Sequence, residues 1–353
     1  MSIEMRMGDD ADKDNWNAIV DNSATGTIFH TWQWLKIAEK YSDCQLYPII
    51  IHEKDEILGM IPLFLRKKFG LKLVLSPPPS VAILFLGPVY SPGDDKSQSQ
   101  KELDDIHIQN KLKTFIFQEL KADYVHVSLS PHIIDLRPYV WDGYTMEPHY
   151  DYVIPLSSTP EEQLAKLSRN LRQNLNRAAK RGFLVEEGGK PEINALYDLM
   201  VERYKDQDKR VSVPRNYLLD IYDSFHENLK IFIAKIHEEM VTGCATISYK
   251  GEFISWIGSP KPKTKISPSP NDLLTWNELK YGSSHGLKTY IILGAAGNQR
   301  LHSYYAKFDP ELRLRISIRK TSHFGGLLEK GYKVMKNSRN GLRRATRIVE
   351  SPE

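Results

Sequence analysis

The feature that most constrains the fold of this chain is an order of predicted elements that occurs twice. In the first half, β-rich apolar runs flank a short charged turn and predict a hairpin, and two further runs predict strands. Apolar residues at helical spacing then predict a helix, and a last apolar run predicts a closing strand. These elements cover residues 46–51, 57–65, 71–75, 81–89, 103–120 and 124–129.

The second half repeats the order of a strand meander, a helix and a closing strand, with three strands in its meander. The corresponding runs lie at residues 229–236, 241–249, 252–257, 272–285 and 288–293. No residue-level repeat accompanies this repeat of pattern. The sequence therefore predicts two related α+β units, and two unrelated α+β domains are the alternative.

The length of 353 residues agrees with two domains, because a single hydrophobic core rarely grows to that size. Between the halves, a predicted strand ends near Leu156. We place the boundary there, which gives an N-terminal unit of residues 1–156 and a C-terminal unit of residues 157–353 with a basic tail.

Composition and charge exclude several classes of protein. The chain has 48 basic and 44 acidic residues, and a formal charge of +4 is too small to indicate nucleic-acid binding by itself. The two cysteines, Cys44 and Cys244, lie far apart in the sequence and fit a reducing compartment. No apolar run is long enough for a membrane span, and no signal core follows Met1. We therefore expect a cytoplasmic protein without a membrane span.

Histidine spacing and nucleophile patterns exclude two further kinds of site. The eleven histidines show no metal-ligand spacing, so we expect no metal site. No Ser–His–Asp or Cys–His set indicates a covalent intermediate.

A basic helix is predicted directly after the boundary. Thr159-Pro160-Glu161-Glu162 has the form of a capping box, and the helix should run from Pro160 to Arg181 and stop at Gly182. Leucines at steps of three and four form its apolar stripe. The remaining arc carries six cations without a neighbouring acid: Lys166, Arg169, Arg172, Arg177, Lys180 and Arg181.

Six like charges on one helix repel one another, so this arrangement indicates an anionic ligand such as a phosphorylated substrate or an RNA backbone. The alternative is that acidic groups elsewhere in the fold cover this face. A second basic run, at residues 330–347, is either a plain charged terminus or a further anion contact.

A glycine-containing turn and an aromatic segment around one lysine follow the last strand of the repeat. Gly294 and Gly297 permit a tight turn, and Tyr304, Tyr305 and Phe308 surround Lys307. A lysine inside an aromatic strand is costly to bury alone. Lys307 therefore either reaches outward to solvent or meets an anion inside a cleft.

Four stretches together resemble the FemAB-type branch of the GNAT superfamily, which consists of tandem-domain acyl and aminoacyl transferases. They resemble its opening helix with a tryptophan, its Arg/Asn-rich helix, the helix before its last strand, and its closing glycine turn with a lysine strand. The stretches are Phe29–Leu35, Ser168–Gly182, Asn271–Gly286 and Leu293–Phe308. The family's Phe-Lys followed by glycines is here Ala306-Lys307-Phe308-Asp309-Pro310, and the coiled-coil insertion of some members is missing.

The resemblance implies a fold and a reaction. It implies two GNAT-like domains in tandem, each a mixed, mainly antiparallel sheet flanked by helices. It also implies transfer of an acyl or aminoacyl group from an activated ester or thioester to an amine. Lys307 would lie near the developing oxyanion or the phosphates of the donor, and Tyr304 and Tyr305 would shape the same channel.

Further contacts are expected from charge. Arg169, Arg172, Arg177 and Lys180 would contact donor or acceptor, and Arg210, Arg215 and Tyr217 would face an anionic acceptor. The acceptor implied by the resemblance is a small anionic or cell-envelope precursor-like molecule.

Two acyl donors remain open, aminoacyl-tRNA and acyl-coenzyme A, and neither requires a tightly bound cofactor. GNAT enzymes bind the coenzyme A pyrophosphate in a glycine-rich turn before a helix. The equivalent segment here, residues 259–270, has no glycine and four prolines, which lack the donor N–H and favour the tRNA donor. The mild net charge favours acyl-coenzyme A. An acyl-coenzyme A-dependent N-acetyltransferase is therefore one alternative, and a non-catalytic GNAT-fold module that binds RNA or an anionic glycan is the other.

Overall fold

The computed structural model describes residues 3–92, 97–258, 260–262, 266–297 and 299–322 of the chain. The basic run predicted at residues 330–347 lies outside the described residues.

Thirteen described strands form one continuous sheet. In chain order they are β1 (Ile3–Met7), β2 (Gln45–Glu53), β3 (Glu56–Lys68), β4 (Leu71–Ser76), β5 (Val89–Tyr90), β6 (Tyr124–Ser128), β7 (Thr145–Pro155), β8 (Phe183–Gly188), β9 (Leu229–Ile236), β10 (Glu239–Tyr249), β11 (Glu252–Gly258), β12 (Thr289–Ile292) and β13 (Glu311–Thr321).

Ten described α-helices cover this sheet. They are α1 (Lys13–Asn22), α2 (Trp32–Ser42), α3 (Gln98–Thr114), α4 (Arg137–Trp141), α5 (Pro160–Lys166), α6 (Arg169–Lys180), α7 (Lys190–Lys205), α8 (Arg215–Phe225), α9 (Pro270–Ser284) and α10 (Gln299–Tyr305).

The strand order is symmetric about the middle of the sheet. It runs β1-β2-β3-β4-β6-β13-β7-β12-β11-β10-β9-β8, with β5 paired to β3 beside this path. From either edge, three antiparallel pairings are followed by one parallel pairing, β4 with β6 and β11 with β12. The predicted architecture, a mixed and mainly antiparallel arrangement of strands with flanking helices in each half, is confirmed, and the two halves form one sheet.

The closing strands of the two halves are exchanged. β7, which ends the first half of the sequence, pairs with β12 of the second half, from Pro155↔Thr289 to Tyr152↔Ile292. β13, which ends the described part of the second half, pairs with β6 of the first half. β7 and β13 also pair with each other, so the two halves share one sheet. The chain division near Leu156 stays a prediction.

The two faces of the sheet carry different helices. On one face, α1 and α2 from the first half and α7 and α8 from the second share a single apolar core. On the other face, α3 and α4 cover the first half, whereas α5, α6, α9 and α10 cover the second. Adjacent residues of β11 mark the two sides, since Phe253 packs under α9 and Ile254 packs in the shared core.

Residues 81–89 do not form the strand that their apolar sequence predicts. They are largely buried, as expected, but their regular pairing is limited to a bridge at Leu86 and the short β5. Ser80, Ala82 and Gly87 have positive φ angles, and the prolines before and within this segment lack ladder donors. The segment is therefore a buried loop beside β6.

The basic helix predicted from Pro160 to Arg181 is two helices. Leu167 is extended with ψ 148°, and the Ser168 hydroxyl caps a new helix by accepting from the Leu171 N–H at 3.3 Å. A serine that can cap competes with helix continuation, which explains the break. The apolar stripe survives it, because Leu167, Leu171 and Leu175 are all buried.

Of the described helices, none has the length and apolar character that crossing a bilayer demands.

Candidate active site

The parallel pair β11–β12 stops short at one end of β11. Its pairing runs from Glu252↔Thr289 to Ser255↔Ile292, where β12 ends, while β11 continues to Gly258. The register between β10 and β11 also shifts here and leaves Trp256 as an extra residue on β11. Such a bulge re-aims a strand, and the end of β11 stays paired with β10 but extends beyond its pairing with β12. In the chain, α9 comes after the end of β11, and the turn that begins at residue 293 comes after the end of β12.

Lys307 lies on a short 3₁₀ turn, Ala306–Phe308, directly after α10. The prediction that this segment forms a strand is therefore wrong. Aromatic residues at positions 304, 305 and 308 have helical spacing, and Asp309 at φ 56° followed by Pro310 ends the turn.

The ammonium group of Lys307 is held by a carboxylate and an aromatic ring. Nζ forms an ion pair with Asp272 and lies 4.0 Å from the centroid of the Tyr304 ring. The Lys307 side chain is 24% exposed and that of Asp272 is 5% exposed. This answers the question left open by the sequence, since the lysine is neither free in solvent nor buried alone.

Asp272 lies in the first turn of α9, where the helix dipole stabilises a negative charge. Pro270 occupies the first helical position of α9 and has no N–H to offer a ligand. An anion that approaches this helix end therefore meets the Asp272 carboxylate as well as Lys307.

Two tyrosines pack next to Lys307. The Tyr304 hydroxyl donates to the Asn271 carbonyl at 2.8 Å and lies 3.3 Å from the Thr275 hydroxyl. Tyr305 packs edge-on against Tyr304, with 4.8 Å between ring centroids. Burial raises the pKa of Tyr304 well above its usual value, so its hydroxyl is neutral. Tyr304 therefore packs against the Lys307 ammonium, and Tyr305 packs against Tyr304.

The start of α6 also touches this site. The Ser168 N–H donates to the Lys307 carbonyl at 3.4 Å. The cations predicted on this helix are exposed, and within the described residues none of Arg169, Arg172, Arg177 and Lys180 forms an ion pair with a carboxylate. The acidic cover considered as the alternative is therefore not seen in the described part of the chain.

The residues predicted to face the acceptor lie elsewhere. Tyr217 is fully buried in the shared core, on the face of the sheet opposite to α9, and its hydroxyl accepts from the Trp34 indole N–H at 3.0 Å. The Arg215 guanidinium pairs with Asp198 and stacks on the Tyr197 ring at 4.6 Å. Arg210 is exposed between α7 and α8. The structure does not bring Arg210, Arg215 or Tyr217 to Lys307.

Two carboxyl groups near the site were missed by sequence reasoning. Asp272 stood in a stretch that carries the family resemblance, but nothing in the sequence linked it to Lys307. Glu278, on α9 and fully buried, accepts from the Thr246 hydroxyl at 2.7 Å. Burial raises the pKa of Glu278 to about 7. The sequence feature that could have indicated both residues is an acidic side chain among the apolar residues of one helix face.

The chain was compared with protein families and with curated proteins. Residues 165–299 match the family model described as an acetyltransferase (GNAT) domain. A search of curated proteins gave no match.

Several solved structures share the fold over most of the chain. FemX matches with a TM-score of 0.63 at 14% identity, over 89% of this chain and 96% of that chain. A tandem GNAT protein from the clavulanic acid biosynthesis pathway matches with a TM-score of 0.56 at 11% identity, over 91% and 98%. The C-terminal domain of a putative lysylphosphatidylglycerol synthetase from Agrobacterium fabrum matches with a TM-score of 0.54 at 12% identity, over 92% and 96%.

The chain therefore has the tandem GNAT fold, and residues 165–299 match the model of a GNAT acetyltransferase domain. The prediction of a GNAT-type transferase is confirmed at this level.

Proposed function

We propose that this GNAT-type transferase moves an activated acyl or aminoacyl group to the amine of a small anionic acceptor of the cell-envelope precursor kind, with Lys307 at the reacting centre. The observation that carries the proposal is the position of Lys307. Its side chain is partly exposed, and its ammonium is held by the Asp272 carboxylate and the Tyr304 ring. A fixed cation that remains partly exposed can stabilise the negative charge that develops in acyl transfer.

The reaction requires stabilisation of a negative charge. The amine nitrogen of the acceptor forms a bond to the acyl carbon, and the carbonyl oxygen gains the charge. The C–O or C–S bond to the carrier then breaks, and one proton of the amine ends on the leaving oxygen or sulfur. Lys307 would stabilise the oxyanion or the carrier phosphates, while the substrate itself relays the proton. Tyr304 and Tyr305 would hold the acyl group in place.

Features of α9 and α6 favour aminoacyl-tRNA as the donor. The first turn of α9 presents Pro270, which has no N–H, and the Asp272 carboxylate, and both oppose a backbone cradle for pyrophosphate. The exposed cations of α6 suit the phosphates of an RNA instead. The similarity to FemX and to a putative lysylphosphatidylglycerol synthetase supports the same donor, whereas the similarity to an acetyltransferase domain supports acyl-coenzyme A.

A donor assay separates these functions. Purified protein is incubated with mixed aminoacyl-tRNA or with acetyl-coenzyme A, each with a panel of amines that includes anionic sugar-peptide precursors. We expect amine-dependent deacylation of tRNA, with release of free coenzyme A at background. The reverse result makes the protein an acyl-coenzyme A-dependent N-acetyltransferase. If both rates are at background and RNA or an anionic glycan still binds, the protein is a binding module.

The role of Lys307 is tested by Lys307→Met, which keeps the length of the side chain and removes the charge. Loss of one oxyanion-stabilising group costs on the order of 10²–10³ in kcat. Lys111→Met is the matched control, because Lys111 is exposed on α3 in the first half. Turnover of the folded Lys307→Met protein at the level of the control would exclude Lys307 from the reacting centre.

A further inference from the structure

A buried ion cluster lies in the middle of the sheet, on the two exchanged strands. It consists of Asp151 on β7 and of Arg313 and Arg315 on β13. Asp151 is fully buried and Arg315 is 5% exposed. Buried charges are costly unless their partners are well placed, so the contacts of these three residues show which parts of the fold the cluster holds together.

The Asp151 carboxylate has two kinds of partner. Oδ1 accepts a hydrogen bond from the Gly294 N–H at 2.8 Å. Oδ2 lies 3.4 Å from Nε of Arg315 and 3.7 Å from the guanidinium of Arg313. One buried carboxylate therefore joins the paired exchanged strands to the backbone of a turn.

That turn leads to Lys307. Gly294 follows the end of β12, has φ 67°, and begins the connection to α10 and the 3₁₀ turn. Among the described residues, Asp151 is the one whose side chain accepts a hydrogen bond from the backbone of residues 293–297. An anchor at Gly294 therefore limits where α10 and Lys307 can lie.

The same cluster reaches the first half of the protein. Arg315 donates to the Leu84 carbonyl at 3.0 Å, and Leu84 belongs to the buried loop 81–89. A Cβ placed on Gly294 would lie 3.4 Å from a methyl group of Leu84. The loop of the first half thus packs against the turn that Asp151 holds.

We propose that Asp151 is a positioning residue for Lys307. It anchors the Gly294 turn and, through Arg315, ties that anchor to the loop of the first half. The proposal rests on the function proposed for Lys307. Its physical basis is that acyl transfer depends steeply on position, since a displacement of about 1 Å can cost on the order of 100-fold in rate.

The test compares Asp151→Ala with Glu252→Gln. Glu252 is the matched control. Like Asp151 it forms an ion pair with Arg313, with 3.0 Å between Oε1 of Glu252 and the guanidinium, but it has no hydrogen bond to Gly294. Asp151→Asn is the conservative variant, since its amide oxygen can still accept from the Gly294 N–H. Hydrogen exchange of the segment 299–308 and the donor kcat and KM are measured for each protein.

We expect exchange in 299–308 to be at least about tenfold faster in Asp151→Ala, with kcat lowered about 100-fold and the donor KM little changed. Asp151→Asn and Glu252→Gln should stay close to wild type in exchange. If Asp151→Ala does not fold, the double variant Asp151→Leu/Arg315→Met removes the same anchor without leaving an unpaired charge at that point.

Unchanged exchange in the folded anchor-free protein overturns the proposal, and so does equal acceleration in Glu252→Gln. Wild-type kcat in a protein with faster exchange also overturns it. The exchange result does not depend on turnover. Absence of turnover in the wild-type protein therefore counts against the proposed function and leaves the anchor to be judged by exchange.

Discussion

Replacing Glu278 by glutamine should make the protein more stable, and increasingly so as the pH rises. The carboxyl is fully buried under α9, and burial raises its pKa from 4.5 to about 7. In the unfolded chain the group ionises near pH 4.5. Between these pH values the folded protein holds a proton that the unfolded chain has lost, so the free energy of unfolding falls as pH increases.

The size of the effect follows from the two pKa values. A pKa difference of one corresponds to about 1.4 kcal/mol, so the rise from 4.5 to about 7 amounts to about 3 kcal/mol once the pH exceeds 7. Glutamine keeps an acceptor oxygen for the Thr246 hydroxyl, which now bonds the carboxylate at 2.7 Å. Glu278→Gln therefore removes the penalty of ionisation and leaves the hydrogen bond.

Urea unfolding followed by tryptophan fluorescence at several pH values from 5 to 8.5 measures this. The stability of Glu278→Gln minus that of wild type should grow by about 1.4 kcal/mol for each pH step of one and level off above pH 7. Glu186→Gln is the control, because Glu186 is an exposed glutamate on β8. A stability difference that is the same at every pH would refute the reasoning, because the carboxyl would then ionise alike in both states.

Two further variants test contacts that join the two halves of the chain. Tyr217→Phe leaves the buried Trp34 indole N–H without its acceptor, so we expect a loss of about 1–3 kcal/mol by thermal denaturation and an unchanged acceptor KM; a raised KM at full stability would support the substrate-binding role instead. Lys250→Met removes the ammonium that donates to the carbonyls of Ser23 at 2.8 Å and Gly26 at 3.3 Å, and we expect a similar loss of stability. Wild-type stability of this variant would show that water replaces the ammonium at those carbonyls.

The sequence predicts those parts of the fold that depend on local pattern. The hairpin of β2 and β3, the meander of β9 to β11 and the helix α9 all follow from spacing and turn residues, and the structure confirms them. The segment 81–89 shows the limit of this reasoning. An apolar composition predicts burial, but the backbone there turns at Ser80, Ala82 and Gly87.

The site was predictable in part. The aromatic setting of Lys307 indicated a lysine that needs a partner, and the family resemblance indicated its role. Its ion-pair partner Asp272 comes from another element, and no pattern of spacing links residues that meet only through tertiary folding. The reverse holds for Tyr217 and Arg215, because a polar segment with several cations does not reveal that its tyrosine fills a core.

The exchange of closing strands also constrains how the protein is made. A chain leaving the ribosome completes the first half of the sequence long before β13 exists, and until then the edge of β6 that β13 will cover has no neighbour in the sheet. β7 likewise waits for β12, which follows it by more than a hundred residues in the sequence. Native pairing in the middle of the sheet is therefore a late and long-range event. A gene fragment that stops near residue 156 encodes β6 with one edge uncovered and β7 without its partners β12 and β13. A separately expressed second half lacks β7, which pairs with β12 in the full chain.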